Sequence, residues 1–166
     1  NRLNKFRIET FSSKEPETLK WIESFDKKST FWDIGANIGL YTCYAAKLKN
    51  CYVYAFEPSI FNLEILAKNI FLNKLSSSVS IVPIPLTEKI KETDFNMSST
   101  DWGSSISTFG EEYQHDGKSL KKEFQYKTLG ISMNDAIEIL KIKQPDNIKI
   151  DVDGIEHLIL KGGLNA

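Results

Sequence analysis

Short apolar segments alternate along the chain with longer segments in which apolar residues recur at helical spacing. The short segments are rich in β-branched and aromatic residues, and we predict a strand at each of them: Thr30–Ile34, Tyr52–Phe56 and Val79–Ile84. Leu40–Leu48 and Ile60–Leu72 lie between these strands and carry the helical pattern. Strands and helices that alternate in this way predict an α/β fold, with a parallel sheet wound on both faces.

Three further elements flank this alternation. A helix is predicted over Pro16–Phe25 and another over Ser132–Leu140, where Ser132 and Asp135 have the spacing of a capping box. Asn147–Val152 reads as a fourth strand of the sheet.

The segment from residue 85 to residue 129 shows no regular periodicity, and we expect it to be irregular, with a loop over Ser98–Gly110. We therefore divide the chain into a helical lead-in over residues 1–29 and an α/β domain over residues 30–166.

The size and charge of the chain narrow the classes of protein to which it can belong. It has 166 residues, 41% hydrophobic and 26% charged, as expected of one globular domain. Twenty-one Lys and Arg residues against 22 Asp and Glu residues give a net charge of −1, so the chain lacks the positive charge that drives non-specific binding to nucleic acid. We expect no nucleic-acid partner.

No apolar segment is long enough to span a bilayer, and the first residues lack the apolar core of a secretory signal. The two cysteines, Cys43 and Cys51, fall in a predicted helix and at the edge of a predicted strand, which suits reduced thiols better than a disulfide framework. We therefore expect a cytoplasmic protein without a membrane span.

The strongest chemical signal is a glycine turn between the first strand and the following helix. Asp33–Gly39 reads Asp-Ile-Gly-Ala-Asn-Ile-Gly, in which glycines let the backbone approach a ligand and the helix start offers free N–H donors. The spacing is not the Gly-x-Gly-x-x-Gly of dinucleotide-binding enzymes, and the Lys-Ser/Thr of a P-loop is absent. An unphosphorylated nucleoside fits this pattern better than a pyrophosphate; the alternative is a tight turn without a ligand.

Glu57 ends the second predicted strand, about 20 residues after Gly35, which is the interval expected for an acid that binds ribose hydroxyls. Both positions lie at the carboxyl ends of adjacent strands, where parallel sheets bind ligands. The alternative is an exposed acid beside a helix N-terminus, where the helix dipole favours negative charge.

A third cluster, Lys149–His157, contains three acids and an imidazole at the end of the fourth predicted strand. We expect Asp151 near the same crevice as Asp33. Asp153 and Glu156 have the spacing of a helix N-cap pair, so a capping role and a functional role remain open for them. Although these acids and His157 are possible ligands of a divalent ion, their spacing is weak evidence and we predict no metal site.

His115 lies in the irregular segment, near Trp102 and Tyr113. Its imidazole titrates near neutral pH and suits a general base, although a surface histidine is the simpler interpretation. The two aromatic residues are either part of a lid or ordinary packing residues.

Taken together, these segments resemble the FkbM-type methyltransferases, which use S-adenosylmethionine and have the class I Rossmann-like fold. The resemblance is carried by Asp33–Gly39, by Phe-Glu-Pro at Phe56–Pro58, by Lys149–Glu156 and by the Lys-Glu-Pro-Glu-Thr-Leu-Lys-Trp-Ile segment before the first strand. It covers essentially the whole chain.

The resemblance implies an enzyme that methylates a hydroxyl of a small molecule, commonly a sugar or a secondary metabolite. The expected cofactor-binding residues are Asp33, Gly35, Ala36, Asn37, Gly39, Glu57 and Pro58. The turn would approach the methionine part of the cofactor and Glu57 would hold the ribose. For the proton acceptor we expect Asp151 first, on its location, followed by His157 and His115.

The chain departs from the family pattern in two respects. Asp153 stands where members of the family usually have Glu, and the sequence stops soon after the fourth predicted strand, whereas the fold normally continues. The fourth strand would then be a bare apolar edge, which is a liability for a monomer. We therefore expect a fragment of a longer domain, incomplete at its C-terminus, or a homo-oligomer whose partner subunit covers the edge.

Two other functions remain open from the sequence. An NAD(P)-dependent oxidoreductase shares the strand, glycine turn and ribose acid, although the missing middle glycine counts against it. A methyltransferase-like binding module would keep the fold without turnover, since fold does not imply function.

Overall fold

The computed structural model describes residues 2–113 and 118–165. Its elements, in chain order, are α1 (Arg2–Glu9), α2 (Phe11–Lys14), α3 (Pro16–Glu23), β1 (Thr30–Ile34), α4 (Leu40–Lys49), β2 (Tyr52–Phe56), α5 (Ile60–Leu72), β3 (Val79–Val82), β4 (Lys91–Met97), β5 (Ser107–Phe109), β6 (Phe124–Gly130), α6 (Met133–Glu138), β7 (Asn147–Ile150) and α7 (Glu156–Lys161).

Four strands form the parallel sheet that the sequence predicts, in the order β3-β2-β1-β7. The predicted bounds of β1, β2 and α5 are confirmed, whereas β3 and β7 each end two residues earlier than predicted. The register places Asp33 of β1 opposite Lys149 of β7 and Ala55 of β2. Consequently, the chain segments that follow β1, β2 and β7 meet at one edge of the sheet.

The segment expected to be irregular contains a second sheet, so that expectation is wrong. β4 pairs antiparallel with both β5 and β6 in the order β5-β4-β6. Phe95 and Phe109 from this sheet share one buried cluster with Trp32, Ile34 and Phe56 of the parallel sheet. The antiparallel sheet therefore contributes to the core on one side of β1.

A second buried cluster joins α3, α4 and α5 to the parallel sheet. It includes Ile22, Phe31, Ala45, Val53 and Leu66. β1 contributes to both clusters and is buried along its whole length. This explains why its sequence lacks the polar–apolar alternation of a half-exposed strand and has only Thr30 and Asp33 as polar residues.

Side-chain caps define two of the helix starts. Ser59 Oγ accepts from the Asn62 N–H at the start of α5, and Ser132 and Asp135 form the predicted capping box of α6. α7 instead begins after Ile155, which makes no side-chain cap hydrogen bond. The interpretation of Asp153 and Glu156 as an N-cap pair is therefore wrong.

No helix in the described residues is both long enough and apolar enough to cross a membrane. Cys43 and Cys51 are free thiols, as predicted, and Cys51 is buried.

Candidate functional site

A cavity of about 240 Å³ opens where β1, β2 and β7 end. Besides the segments after these strands, its walls include parts of α1, α2, α5 and α7, the segment after β3, and the antiparallel sheet with the loop before β5. The polar side chains in its walls are Arg7, Lys14, Asn37, Glu57, Asn62, Ser104, Ser105, Ser107, Thr108, Asp151 and Asp153. Phe56, Ile84 and Phe109 supply part of the apolar surface. A concave cleft at the carboxyl ends of parallel strands, with polar side chains converging on it, is a typical place for a small-molecule site.

The glycine turn is set by close packing as well as by backbone conformation. Gly35 has φ +81°, and a Cβ there would lie 2.1 Å from the carbonyl oxygen of Asp151. Gly39 has φ +80°, and its Cβ would lie 2.4 Å from Leu66 Cδ1. Both positions therefore exclude a side chain, and the turn runs directly against the segment after β7.

Glu57 is fixed by two backbone donors, one from the glycine turn and one from the segment between β2 and α5. Its Oε2 accepts from the Asn37 N–H at 2.7 Å, and its Oε1 accepts from the Ser59 N–H at 2.8 Å. The carboxylate is only 5% exposed but lines the cavity. Since a carboxylate has about four acceptor positions, two bound N–H groups leave room for hydroxyl donors from a ligand.

Burial raises the pKa of Glu57 to about 7, although the N–H groups of Ser59 and Asn37 and the side chain of Asn62 act in the opposite direction. Desolvation disfavours the charged form, whereas donated hydrogen bonds favour it. The carboxyl therefore titrates in the physiological range and changes its hydrogen-bonding capacity there.

Lys149 connects the ends of β1 and β7. Its Nζ lies 2.8 Å from Asp151 Oδ2, 3.8 Å from Asp33 Oδ1 and 5.0 Å from the centre of the Tyr41 ring. Asp33 Oδ2 accepts from Thr42 Oγ1 at 2.5 Å. Burial raises the pKa of Asp33, and the neighbouring Lys149 opposes that rise. The lysine thus holds Asp151 at the wall of the cavity.

The segment from residue 98 to residue 106, which we name the 98–106 loop, is tied to the cavity by its middle residues. The Ser104 carbonyl accepts from Asn37 Nδ2 at 2.9 Å and from Asn62 Nδ2 at 3.0 Å. The Gly103 N–H donates to Asn62 Oδ1 at 2.8 Å, and Arg7 Nε donates to the Gly103 carbonyl at 2.8 Å. Three separate elements therefore hold this loop beside the glycine turn.

The predicted site residues occupy different positions around the cavity. Those that line it are Gly35, Asn37, Glu57, Pro58 and Asp151. Asp33, Ala36 and Gly39 are buried behind this wall. His157 is exposed on α7 and is not among the lining residues. His115 lies outside the described residues. Within residues 2–113 and 118–165, no three His, Cys, Asp or Glu side chains are grouped to hold a metal ion.

Sequence reasoning missed Arg7, Asn62 and the contacts of Lys149. Two of these carried a signal: Asn62 lies one and two helical turns before the buried residues Leu66 and Ile70, and Lys149 interrupts the otherwise apolar end of β7. A polar residue on a buried face needs a polar partner, so such positions indicate a specific hydrogen bond or ion pair in the folded protein. Arg7 carried no such signal because most residues of α1 are polar or charged, so one more charged residue does not stand out there.

Comparison with known proteins identifies one family. The family model described as the methyltransferase FkbM domain matches residues 33–166. This range contains the glycine turn, Glu57 and the Lys149–Asp151 segment.

Two relatives show the extent of the similarity. The hexuronic acid methyltransferase AglP of Haloferax volcanii is 27% identical over 161 residues, which cover 97% of this chain and 61% of AglP. The crystal structure of methyltransferase FkbM from Methylobacillus flagellatus KT superposes with a TM-score of 0.57 at 18% identity, covering 84% of this chain and 30% of that one. The chain thus spans about three-fifths of the length of its curated relative.

Proposed function

The chain belongs to the FkbM methyltransferase family, and on that premise we propose that it is an S-adenosylmethionine-dependent O-methyltransferase acting on a hydroxyl of a sugar or a related small molecule. The observation that carries the proposal is the position of Glu57, a buried carboxylate with unused acceptor capacity in the wall of a cavity beside the glycine turn. A vicinal diol such as that of ribose matches this acceptor.

The residues around the cavity suit the two ends of this cofactor. Glu57 would accept hydrogen bonds from the ribose hydroxyls, and Pro58 lies beside it in the wall. The backbone from Gly35 to Gly39 would approach the methionine part, and Asn37 ties that backbone to Glu57. When bound, S-adenosylmethionine supplies an electrophilic methyl group.

The chain itself would contribute position and a proton acceptor. Holding an acceptor hydroxyl in line with a methyl donor removes much of the entropic cost of a two-substrate reaction, on the order of 7–11 kcal/mol at best. Asp151 lines the cavity, which places its carboxylate to take the hydroxyl proton late in the transfer. Lys149 Nζ, 2.8 Å away, orients that carboxylate. His157 and His115 remain alternative acceptors in this proposal.

The acceptor class rests on the similarity to a methyltransferase named for hexuronic acid. A sugar presents many hydroxyl groups, and a cavity with several polar side chains can orient them. We therefore propose a carbohydrate acceptor, in a cytoplasmic protein. A homo-oligomer that covers the edge of β7 belongs to the same proposal.

Isothermal titration with S-adenosylhomocysteine and with NAD tests the cofactor. We expect the wild-type protein to bind S-adenosylhomocysteine and not NAD. Glu57→Ala should lower the affinity for S-adenosylhomocysteine at least tenfold, since hydrogen bonds to a charged group are worth about 1.5–3 kcal/mol. Glu64→Ala is the matched control, because Glu64 is an exposed acid on α5 paired with Lys68. Binding of NAD alone would overturn the proposal. Binding without transfer of a labelled methyl group to any sugar would favour a non-catalytic module.

A further inference from the structure

Arg7 brings a positive charge to the cavity without a negative partner. It is half-buried, it lines the cavity, and its Nε donates to the neutral carbonyl of Gly103 at 2.8 Å. In the described part of the chain, no carboxylate forms an ion pair with its guanidinium. A partly desolvated cation that contacts only a neutral group favours a negatively charged ligand.

The acids of the same cavity are engaged elsewhere. Asp151 pairs with Lys149 at 2.8 Å, Asp153 Oδ2 accepts from the Ser107 N–H at 3.1 Å, and Glu57 accepts from two backbone N–H groups. None of these contacts involves Arg7, so in the described residues its guanidinium has no acid of the cavity as a direct partner.

The geometry of Arg7 suits one particular anion. The Nε bond to Gly103 fixes the side chain against the 98–106 loop and leaves the two terminal NH₂ groups for a ligand. A guanidinium edge matches the two oxygens of a carboxylate. Lys14 lies at the same cavity, although it is exposed and its Nζ is 3.3 Å from Glu15 Oε1, so it would act as a secondary charge.

We propose that Arg7, assisted by Lys14, is the binding site for a carboxylate group of a bound substrate. The inference rests on the proposed function. Two compounds in the proposed reaction can supply this group: the amino-acid end of the cofactor, or an acidic sugar of the uronate class as acceptor. Both would place a carboxylate in the same cavity as Glu57, and the experiment separates them.

The experiment compares ligands that differ only in the carboxylate-bearing part. Isothermal titration with S-adenosylhomocysteine and with 5′-methylthioadenosine, which lacks the amino-acid part, tests the cofactor. Glucuronate and glucose, added to protein saturated with methylthioadenosine and followed by ligand-observed NMR, test the acceptor. The variants are Arg7→Gln and Arg7→Lys, with Lys5→Gln as the control, because Lys5 carries the same charge on α1 but pairs with Glu9 outside the cavity.

We expect R7Q to lower the affinity for the carboxylate-bearing ligand at least tenfold, R7K to lower it less, and K5Q to leave it unchanged. If R7Q loses affinity for S-adenosylhomocysteine but not for methylthioadenosine, the site binds the cofactor. If it loses affinity for glucuronate but not for glucose, the site binds the acceptor. If R7Q binds both carboxylates as wild type does, or K5Q weakens them equally, the inference is overturned.

The failure of the proposed function has a different signature. Wild-type protein that does not bind methylthioadenosine would contradict the adenosine site at Glu57, whatever Arg7 does. Thermal unfolding shows whether R7Q is still folded. If it is not, the test uses R7K instead. An R7K affinity for the carboxylate-bearing ligands equal to that of wild type overturns the inference, whereas a lower affinity for these ligands alone supports it.

Discussion

Glu57 combines burial with two donated backbone hydrogen bonds, and this makes its ligand affinity depend on pH. Its pKa of about 7 means that the carboxyl is mostly protonated at pH 6 and mostly ionised at pH 8. The ionised form is the better acceptor for ribose hydroxyls. We expect the affinity for S-adenosylhomocysteine to rise by up to about tenfold between these pH values.

Isothermal titration at pH 6, 7 and 8 measures this rise. Glu57→Gln cannot ionise, so its affinity should be lower and nearly constant over the same range. An equal pH dependence in both proteins would assign the effect to another group.

Gly35 is constrained twice, by its left-handed φ and by the carbonyl of Asp151. In Gly35→Ala the Cβ would lie 2.1 Å from a backbone oxygen, so the strand end of β7 must move. We expect a loss of unfolding free energy on the order of 2–4 kcal/mol, measured by urea denaturation.

Gly163→Ala is the control for this substitution. Its Cβ would meet the flexible side chain of Met133, with Sδ at 2.7 Å, and that side chain can rotate away. If G163A loses as much unfolding free energy as G35A does, the left-handed conformation and the backbone contact of Gly35 are not the cause of the destabilisation in G35A.

At the scale of single residues, the sequence predicts roles only for groups that stand at a recognisable local spacing. The interval between Gly35 and Glu57 follows from one strand–helix–strand unit, so it can be recognised without the fold. The contact between Arg7 and Gly103 joins residues 96 positions apart, and no local pattern encodes it. The role of Lys149 likewise depends on the register of β7 with β1.

The 98–106 loop depends on α5 through one side chain. Asn62 is buried and binds both the N–H of Gly103 and the carbonyl of Ser104. Asn62→Ala would remove both bonds, and the loop should open more often. We expect hydrogen exchange at residues 103–106 to increase by at least tenfold, since each lost bond contributes about 1 kcal/mol.

Asn69→Ala provides the matched comparison for N62A. Asn69 also lies on α5 and donates to a backbone carbonyl, that of Ile38 at 2.8 Å, but it makes no bond to the loop. Exchange at residues 103–106 should therefore stay at the wild-type rate in N69A. If N62A also exchanges at the wild-type rate at residues 103–106, contacts other than those of Asn62 hold the loop.

At the scale of elements, the sequence predicted what local pattern encodes. β1 and β2 are short, apolar and bounded by turn residues, and their bounds are confirmed. β4 reads Lys-Glu-Thr-Asp-Phe-Asn-Met, which has few residues that favour strands. It is stabilised by pairing with β6, about 30 residues away, and by two apolar residues that enter the core. Such non-local pairing leaves no signal in a short window.

In the whole molecule, the candidate site lies between the two sheets and the first helices. The parallel sheet supplies Glu57 and Asp151, the connection between the antiparallel strands supplies Ser104, and α1 supplies Arg7. The strand–helix alternation predicted the first contribution. It could not predict the other two, because they depend on which face of the parallel sheet the remaining segments cover.

The two buried carboxyls near the cavity also affect the stability of the whole molecule. Burial raises the folded-state pKa of both Asp33 and Glu57, so the folded protein retains protons that the unfolded chain has already released. Between the unfolded pKa of Glu57, 4.5, and its folded value of about 7, the contribution of Glu57 to the free energy of unfolding therefore falls as the pH rises. For Glu57 alone the loss is on the order of 3 kcal/mol.

Urea denaturation at intervals from pH 5 to pH 8 measures this slope, and Glu57→Gln should reduce it because the amide has no proton to release. A bound ligand that donates hydrogen bonds to the ionised Glu57 should also reduce the slope, since it favours the charged form in the folded state alone. The same carboxyl thus links cofactor affinity to stability. If E57Q unfolds with the wild-type pH dependence, Glu57 is not the group whose ionisation opposes folding.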